Sequence, residues 1–182
     1  SITGSQEIMA LVRRRFETAT NMTDRMAALT ILVHRGDAGA EAALATFFER
    51  FGNVPLVVDK WLSAQASAPL PNTLDKVMAL TRHPAFSFGN PNRVRALVGA
   101  FATMNPTQFG RADGKGFGLV SNIISRLDAT NPQLAARLLV TFRSWRSYEP
   151  QRRAQAETAL RSIQSKEQLS RDVADILERT LA

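Results

Sequence analysis

Apolar residues recur along this chain at intervals of three and four, the spacing of one face of an α-helix. Ile8, Leu11, Val12 and Phe16 make a first stripe. Met22, Met26, Leu29 and Val33 make the next, with Thr23 as the expected N-cap and Gly36 as the stop. Leu44, Phe47, Phe48 and Phe51 repeat the pattern and end at Gly52. Pro55 then stands where a first helical turn tolerates proline, ahead of Val57, Val58, Trp61 and Leu62.

The second half continues in the same way. Asn72 is placed to cap a helix carrying Leu74, Val77 and Met78. Asn90-Pro91 opens a helix with Val94, Leu97, Val98 and Phe101, Asn105-Pro106 a short one, and Asn131-Pro132 one that runs through Leu134, Leu138, Phe142 and Trp145. These three Asn-Pro pairs share a mechanism. The asparagine oxygen accepts from an otherwise unpaired N–H, and proline lacks the N–H that would go unpaired there. Leu119, Val120, Ile123, Ile124 and Leu127 form another stripe, and two last helices are expected around Ala156–Ile163 and Leu169–Leu181.

No segment alternates long enough to read as a strand; Phe86-Ser87-Phe88 is too short and reads as loop. The expected fold is all-α: about ten helices in antiparallel pairs, stacked as an irregular armadillo- or HEAT-like superhelix. No repeat of fixed length is present, which argues against a regular tetratricopeptide or ankyrin array. With 182 residues and 45% hydrophobic content, residues 1–182 read as one α-solenoid domain around one core.

Composition narrows the function classes. No apolar run reaches the ~20 residues that span a bilayer, so no membrane partner is expected. Ser1-Ile2-Thr3-Gly4-Ser5 lacks both an initiator Met and a signal-peptide pattern, and reads as a cut inside a longer protein. The chain has no cysteine, which excludes disulfides, thiolate nucleophiles and Cys-ligated metals and fits a reducing compartment. A cytoplasmic location is expected. The net charge of +7 raises the question of nucleic acid. The densest clusters, Arg13-Arg14-Arg15 and Arg152-Arg153, are short and read as solvated helix faces. Aromatics are 7% and do not interleave with them as a base-stacking platform requires, so no nucleic-acid partner is expected.

Catalytic chemistry is missing. His34 and His83 are far apart, and the positions four residues on are Ala38 and Ser87, so no helix face offers a His-Glu-x-x-His zinc pair. His83, before Pro84 at a helix end, is expected to meet the helix dipole. No Gly-x-Ser-x-Gly elbow occurs. The glycine-rich stretch Asp113-Gly114-Lys115-Gly116-Phe117-Gly118 has neither P-loop nor dinucleotide spacing and reads as a tight turn before a helix. No catalytic or metal-binding residue and no cofactor are assigned to the chain.

Several segments, taken in order, resemble a known family. They are Asn21-Met22-Thr23-Asp24-Arg25-Met26-Ala27-Ala28-Leu29, Asp59-Lys60-Trp61, His83-Pro84-Ala85-Phe86, Asn90-Pro91-Asn92-Arg93-Val94-Arg95, and Asn131-Pro132-Gln133 with Arg137. Together with Ala100-Phe101, Asn105-Pro106 and the Asp113-Gly114 turn, they are similar to the C-terminal part of the bacterial aminopeptidase N family, zinc-dependent gluzincins. The likeness runs from about Asn21 to Ala182.

The resemblance implies that the zinc ligands and the general-base glutamate lie upstream, on a catalytic domain of the same polypeptide. It also implies that this helical domain packs over the catalytic domain and encloses the cavity through which peptide substrates pass. On that basis Arg95, Gln133 and Arg137 are expected to line the substrate channel, where a guanidinium fork suits a peptide carboxylate or carbonyl. The alternative is a free-standing solenoid scaffold that binds a protein or an acidic partner on its concave face. An upstream reading frame carrying His-Glu-x-x-His favours the first, and a native start codon near Ser1 the second. For the fold itself, helical minima should dominate a far-ultraviolet circular dichroism spectrum; a strand-dominated spectrum would contradict the all-α reading.

Overall fold

The computed structural model describes residues 2–166 and 168–182, with side chains from Gln6 onward. Ser1, on which the reading of an internal cut rests, lies outside the described residues, as does Glu167. The chain folds as a stack of helices: α1 (Ile2–Thr18), α2 (Met22–His34), α3 (Ala40–Phe51), α4 (Pro55–Ala66) and α5 (Thr73–Leu80). A single rod follows, made of α6 (Pro91–Val94), a π-helical turn (Arg95–Gly99) and α7 (Ala100–Met104). The remainder is α8 (Pro106–Phe109), α9 (Lys115–Asp128), α10 (Pro132–Leu139), α11 (Pro150–Gln164) and α12 (Arg171–Leu181). Among the described residues there is no strand. The all-α solenoid architecture holds, although several helices are shorter than the spacing suggests. Buried side chains form one connected core from Phe16 to Leu177, including the expected Trp61, Phe101, Phe142 and Trp145.

Local chemistry sets the helix ends. Asn21, not Thr23, caps α2: its Oδ1 accepts from the Asp24 N–H at 2.9 Å. Arg25 on α2 then reaches back to α1, donating to the Phe16 carbonyl at 2.7 Å and to the Ala19 carbonyl. A cation thereby sits where the dipole of α1 ends negative. Asn105 both starts α8 and braces α4. Its Oδ1 accepts from Gln108, while its Nδ2 donates to the carbonyls of Ala66 and Ala68 at 3.0 and 2.7 Å. Asn72 makes no such cap; the buried Thr73 hydroxyl donates to the Ala68 carbonyl instead.

Two apolar stripes depart from expectation. On α1, Phe16 is buried but Ile8 and Leu11 are 60% and 64% exposed. Among the described residues α1 packs chiefly on α2, which leaves the flank carrying Ile8 and Leu11 uncovered. The helix opened by Asn131-Pro132 ends at Leu139 and gives way to 3-10 turns at Val140–Phe142 and Trp145–Ser147. The β-branched pair Val140-Thr141 weakens the helix there, and tertiary anchors then direct the chain. Phe142 packs on Phe109 and Phe117, with ring centroids 5.2 and 5.9 Å away. Trp145 Nε1 donates to the Thr180 carbonyl at 2.9 Å, and Arg146 donates to the carbonyls of Thr180 and Leu181, closing the end of α12.

The rod α6–π–α7 is held by Arg93. Its guanidinium donates to the carbonyls of Ala85 and Pro55, each at 2.9 Å, and pairs with Asp59 on α4. The two side chains are 12% and 18% exposed, so solvent does little to replace either partner. Arg93→Met would strand the Asp59 carboxylate and two carbonyls at a cost of about 3 kcal/mol. In a chain of this size that is a drop of about 10 °C in Tm. A thermal melt showing a change under 2 °C would dismiss the staple.

His34 ties α2 to the end of α4, its Nε2 lying 3.1 Å from both the Ala64 carbonyl and the Ser67 hydroxyl. Burial pushes its pKa below 6.5, opposed in part by the Ala64 hydrogen bond. The unfolded chain therefore takes up the proton first as the pH falls. The His34 contribution to stability is full above about pH 6.5 and is lost on acidification through the window below it. Tm should fall between pH 7 and pH 5, and His34→Gln should flatten that fall; equal slopes in melts of the two proteins would assign the pH dependence to other groups.

Candidate functional site

Three residues singled out in the sequence converge. Arg95, at the first position of the π turn, shares one recess of about 330 Å³ with Gln133 and Arg137 of α10. Pro91, Asn131 and Leu134 complete its lining. Two Asn-Pro helix starts, 90–91 and 131–132, thus stand at the same opening. Asn90 Oδ1 accepts from Asn92 and Arg93, and Asn131 Oδ1 accepts from Leu134 at 3.1 Å, so each start is locally fixed.

The π turn decides where Arg95 points relative to the rest of its rod. The Ala100 N–H bonds to the Arg95 carbonyl, five residues back, where an α-helix would bond four back. In a regular helix Arg95, Gly99 and Ala102 would share an open face. Here Gly99 is half-buried and Ala102 is buried, so that face narrows to Arg95. The wider turn shifts the phase of everything after it. Spacing rules built on 3.6 residues per turn do not see such an insertion.

The electrostatics of the recess are lopsided. Neither Arg95 nor Arg137 takes part in an ion pair among the described residues, and the lining includes no Asp or Glu. Arg95 is steadied by a neutral hydrogen bond to Asn92 Oδ1 at 2.8 Å. Arg137 and Gln133 have no side-chain hydrogen bond among the described residues. Some other arginines are paired: Arg13 forms a two-pronged pair with Asp37, at 2.9 and 2.6 Å, which holds the Asp37 carboxyl below the usual carboxylate range. Arg15 pairs with Asp24, and Arg152 with Glu149.

The remaining candidates resolve into structure. The glycine-rich stretch is a turn: Gly114 has φ +71°, and the Asp113 carboxylate accepts from the Lys115 N–H and from Arg111. A carboxylate thus occupies the N–H that a phosphate cradle would offer. Gly116 is required sterically, since a Cβ there would lie 2.2 and 2.3 Å from the carbonyl oxygens of Gln108 and Phe109. His83 does not cap a helix; its Nδ1 accepts from the Ala85 N–H, and its ring packs on Phe48 and Trp61. With His34 committed to α4 and His83 to this cluster, the histidines do not fit a zinc ion. Among the described residues no three His, Asp or Glu side chains converge.

Known proteins are similar to this chain in fold and sequence. The aminopeptidase N of Caulobacter vibrioides is 38% identical over 175 residues, which is 96% of this chain and 20% of that protein. The aminopeptidase N of Escherichia coli is 35% identical over 172 residues, again 20% of its length. The crystal structure of Legionella pneumophila aminopeptidase A in complex with aspartic acid superposes with a TM-score of 0.92 at 34% identity, covering 98% of this chain and 21% of that one. The chain therefore spans about a fifth of the length of the relatives it matches. Residues 1–182, the whole chain, match the family described as a domain of unknown function (DUF3458_C) with ARM repeats, and to that family the protein belongs.

Proposed function

We propose that this chain is the non-catalytic C-terminal domain of a zinc metallo-aminopeptidase that removes N-terminal residues from peptides. In this reading residues 1–182 are a single α-solenoid domain cut from the end of a larger cytoplasmic enzyme. The zinc and its ligands belong to the catalytic domain upstream. This domain encloses the active-site cavity and shapes the path of the peptide. Arg95, Gln133 and Arg137 line that path, contacting peptide beyond the scissile bond and performing no chemistry themselves.

One observation carries the reading. Three polar residues, chosen because their segments resemble stretches of aminopeptidase N, share a single recess, and its two guanidinium groups lack acidic partners. Arg13, Arg15 and Arg93, by contrast, are each paired with a carboxylate. Exposed apolar side chains support the partner. Ile8 and Leu11 on α1, with Leu56 at the start of α4, would be covered by the catalytic domain of the same polypeptide.

In the full-length enzyme, Arg137→Ala should lower kcat/KM on peptides of five or more residues about 10-fold, the effect of one lost charge-assisted hydrogen bond. A small chromogenic aminoacyl substrate, too short to reach the recess, should change less than about 2-fold. Equal losses on both substrates, or none on either, would remove Arg137 from the channel.

A further inference from the structure

Resting on the channel reading, we propose that the recess between the π turn and α10 is a carboxylate-binding site that selects peptides carrying a free carboxylate distant from the bond being cut. The chemical inventory of the recess is one-sided. It holds two guanidinium groups, the carboxamide of Gln133 and that of Asn131. The Asn131 oxygen is already committed to the Leu134 N–H, which leaves its amide nitrogen as a donor. These four residues line a space whose lining includes no carboxylate. A neutral amide or a peptide carbonyl would satisfy some of these donors but leave both positive charges uncompensated. A carboxylate satisfies charge and geometry together, because its two oxygens match the guanidinium fork.

The geometry favours a small anion. About 330 Å³ holds a carboxylate with a residue or two of chain, and the opening lies between two fixed helix starts. Arg95 is hydrogen-bonded to Asn92 Oδ1, and the backbone that carries it is stapled to α4 through Arg93. Arg137 has no competing partner among the described residues and is available to close on the other oxygen. Every unmodified peptide carries such an anion at its C-terminus, and Asp or Glu side chains supply the same group along the chain.

Equilibrium binding to the full-length protein tests this with N-acetylated hexapeptides, whose blocked N-terminus prevents trimming. Three probes are compared: the free acid, its C-terminal amide, and the amide with one Asp near the C-terminus. The free acid should bind about 10-fold tighter than the plain amide. That ratio should shrink to about 2 or less in Arg95→Gln and Arg137→Gln and narrow with added salt. Arg137→Lys, which keeps charge but loses the fork, should recover part of it. If the Asp-bearing amide matches the free acid, the site stands and takes side-chain carboxylates as well; if it matches the plain amide, the site stands and reads the chain end.

Equal affinity for all three probes overturns the proposal. So does a free-acid preference that survives both glutamine variants. The channel reading fails separately: in that case Arg137→Ala leaves trimming of long peptides unchanged. Variants that slow trimming of acid and amide peptides alike keep the channel and discard the carboxylate site.

Discussion

The position of the recess depends on one guanidinium. Arg93 joins α4, the loop at Ala85 and the rod that begins at Pro91, and it does so with two carbonyls and a carboxylate at once. An isolated surface ion pair contributes little, because water competes for both partners. Here both partners are largely enclosed, and the carbonyls take the donor positions that the carboxylate leaves. Without this staple the rod could slide along α4, and Arg95, two residues further on, would move with it.

The π turn builds on that fixed start. A wide turn loses good helical geometry and persists where surrounding packing compensates. Ala96, Leu97 and Val98 within it are all buried, and the turn packs against α4 and α5. The same segment therefore supplies core and site: three consecutive apolar side chains face inward while Arg95 stays at the opening. A regular α-helix over these residues would change the phase of the residues that follow relative to Arg95.

Charge is distributed unevenly for a reason that follows from contacts. The net +7 is not spread as a uniform basic face. Arg13, Arg15 and Arg93 are partners of carboxylates, and Arg25 binds buried carbonyls at the end of α1. Arg126 lies over the Phe88 ring at 3.9 Å, and Arg146 closes α12. Arg95 and Arg137 differ from these in lining one recess together with Gln133, with no Asp or Glu in that lining. The +7 itself says little; its local remainder says more.

Much of this was legible in the residues alone. Periodicity identified the helices and ruled out a sheet, because burial of one face imposes the 3.6-residue spacing directly on the sequence. The Asn-Pro starts were readable for the same kind of reason, since a cap is a contact between residues two or three apart. Arg95, Gln133 and Arg137 could be nominated from local motifs, but not brought together. Their meeting depends on how the rod lies against α10, about forty residues away. The exposure of Ile8 and Leu11, the path of the chain after the break at Leu139 and the π turn at Arg95 were likewise settled by long-range packing. So was the pairing of Asp59 with Arg93, two residues already conspicuous in separate motifs. Local hydrogen bonding and hydrophobic pattern are written in neighbouring residues; the direction of an arginine is decided by whichever distant carbonyl or carboxylate the fold brings within reach.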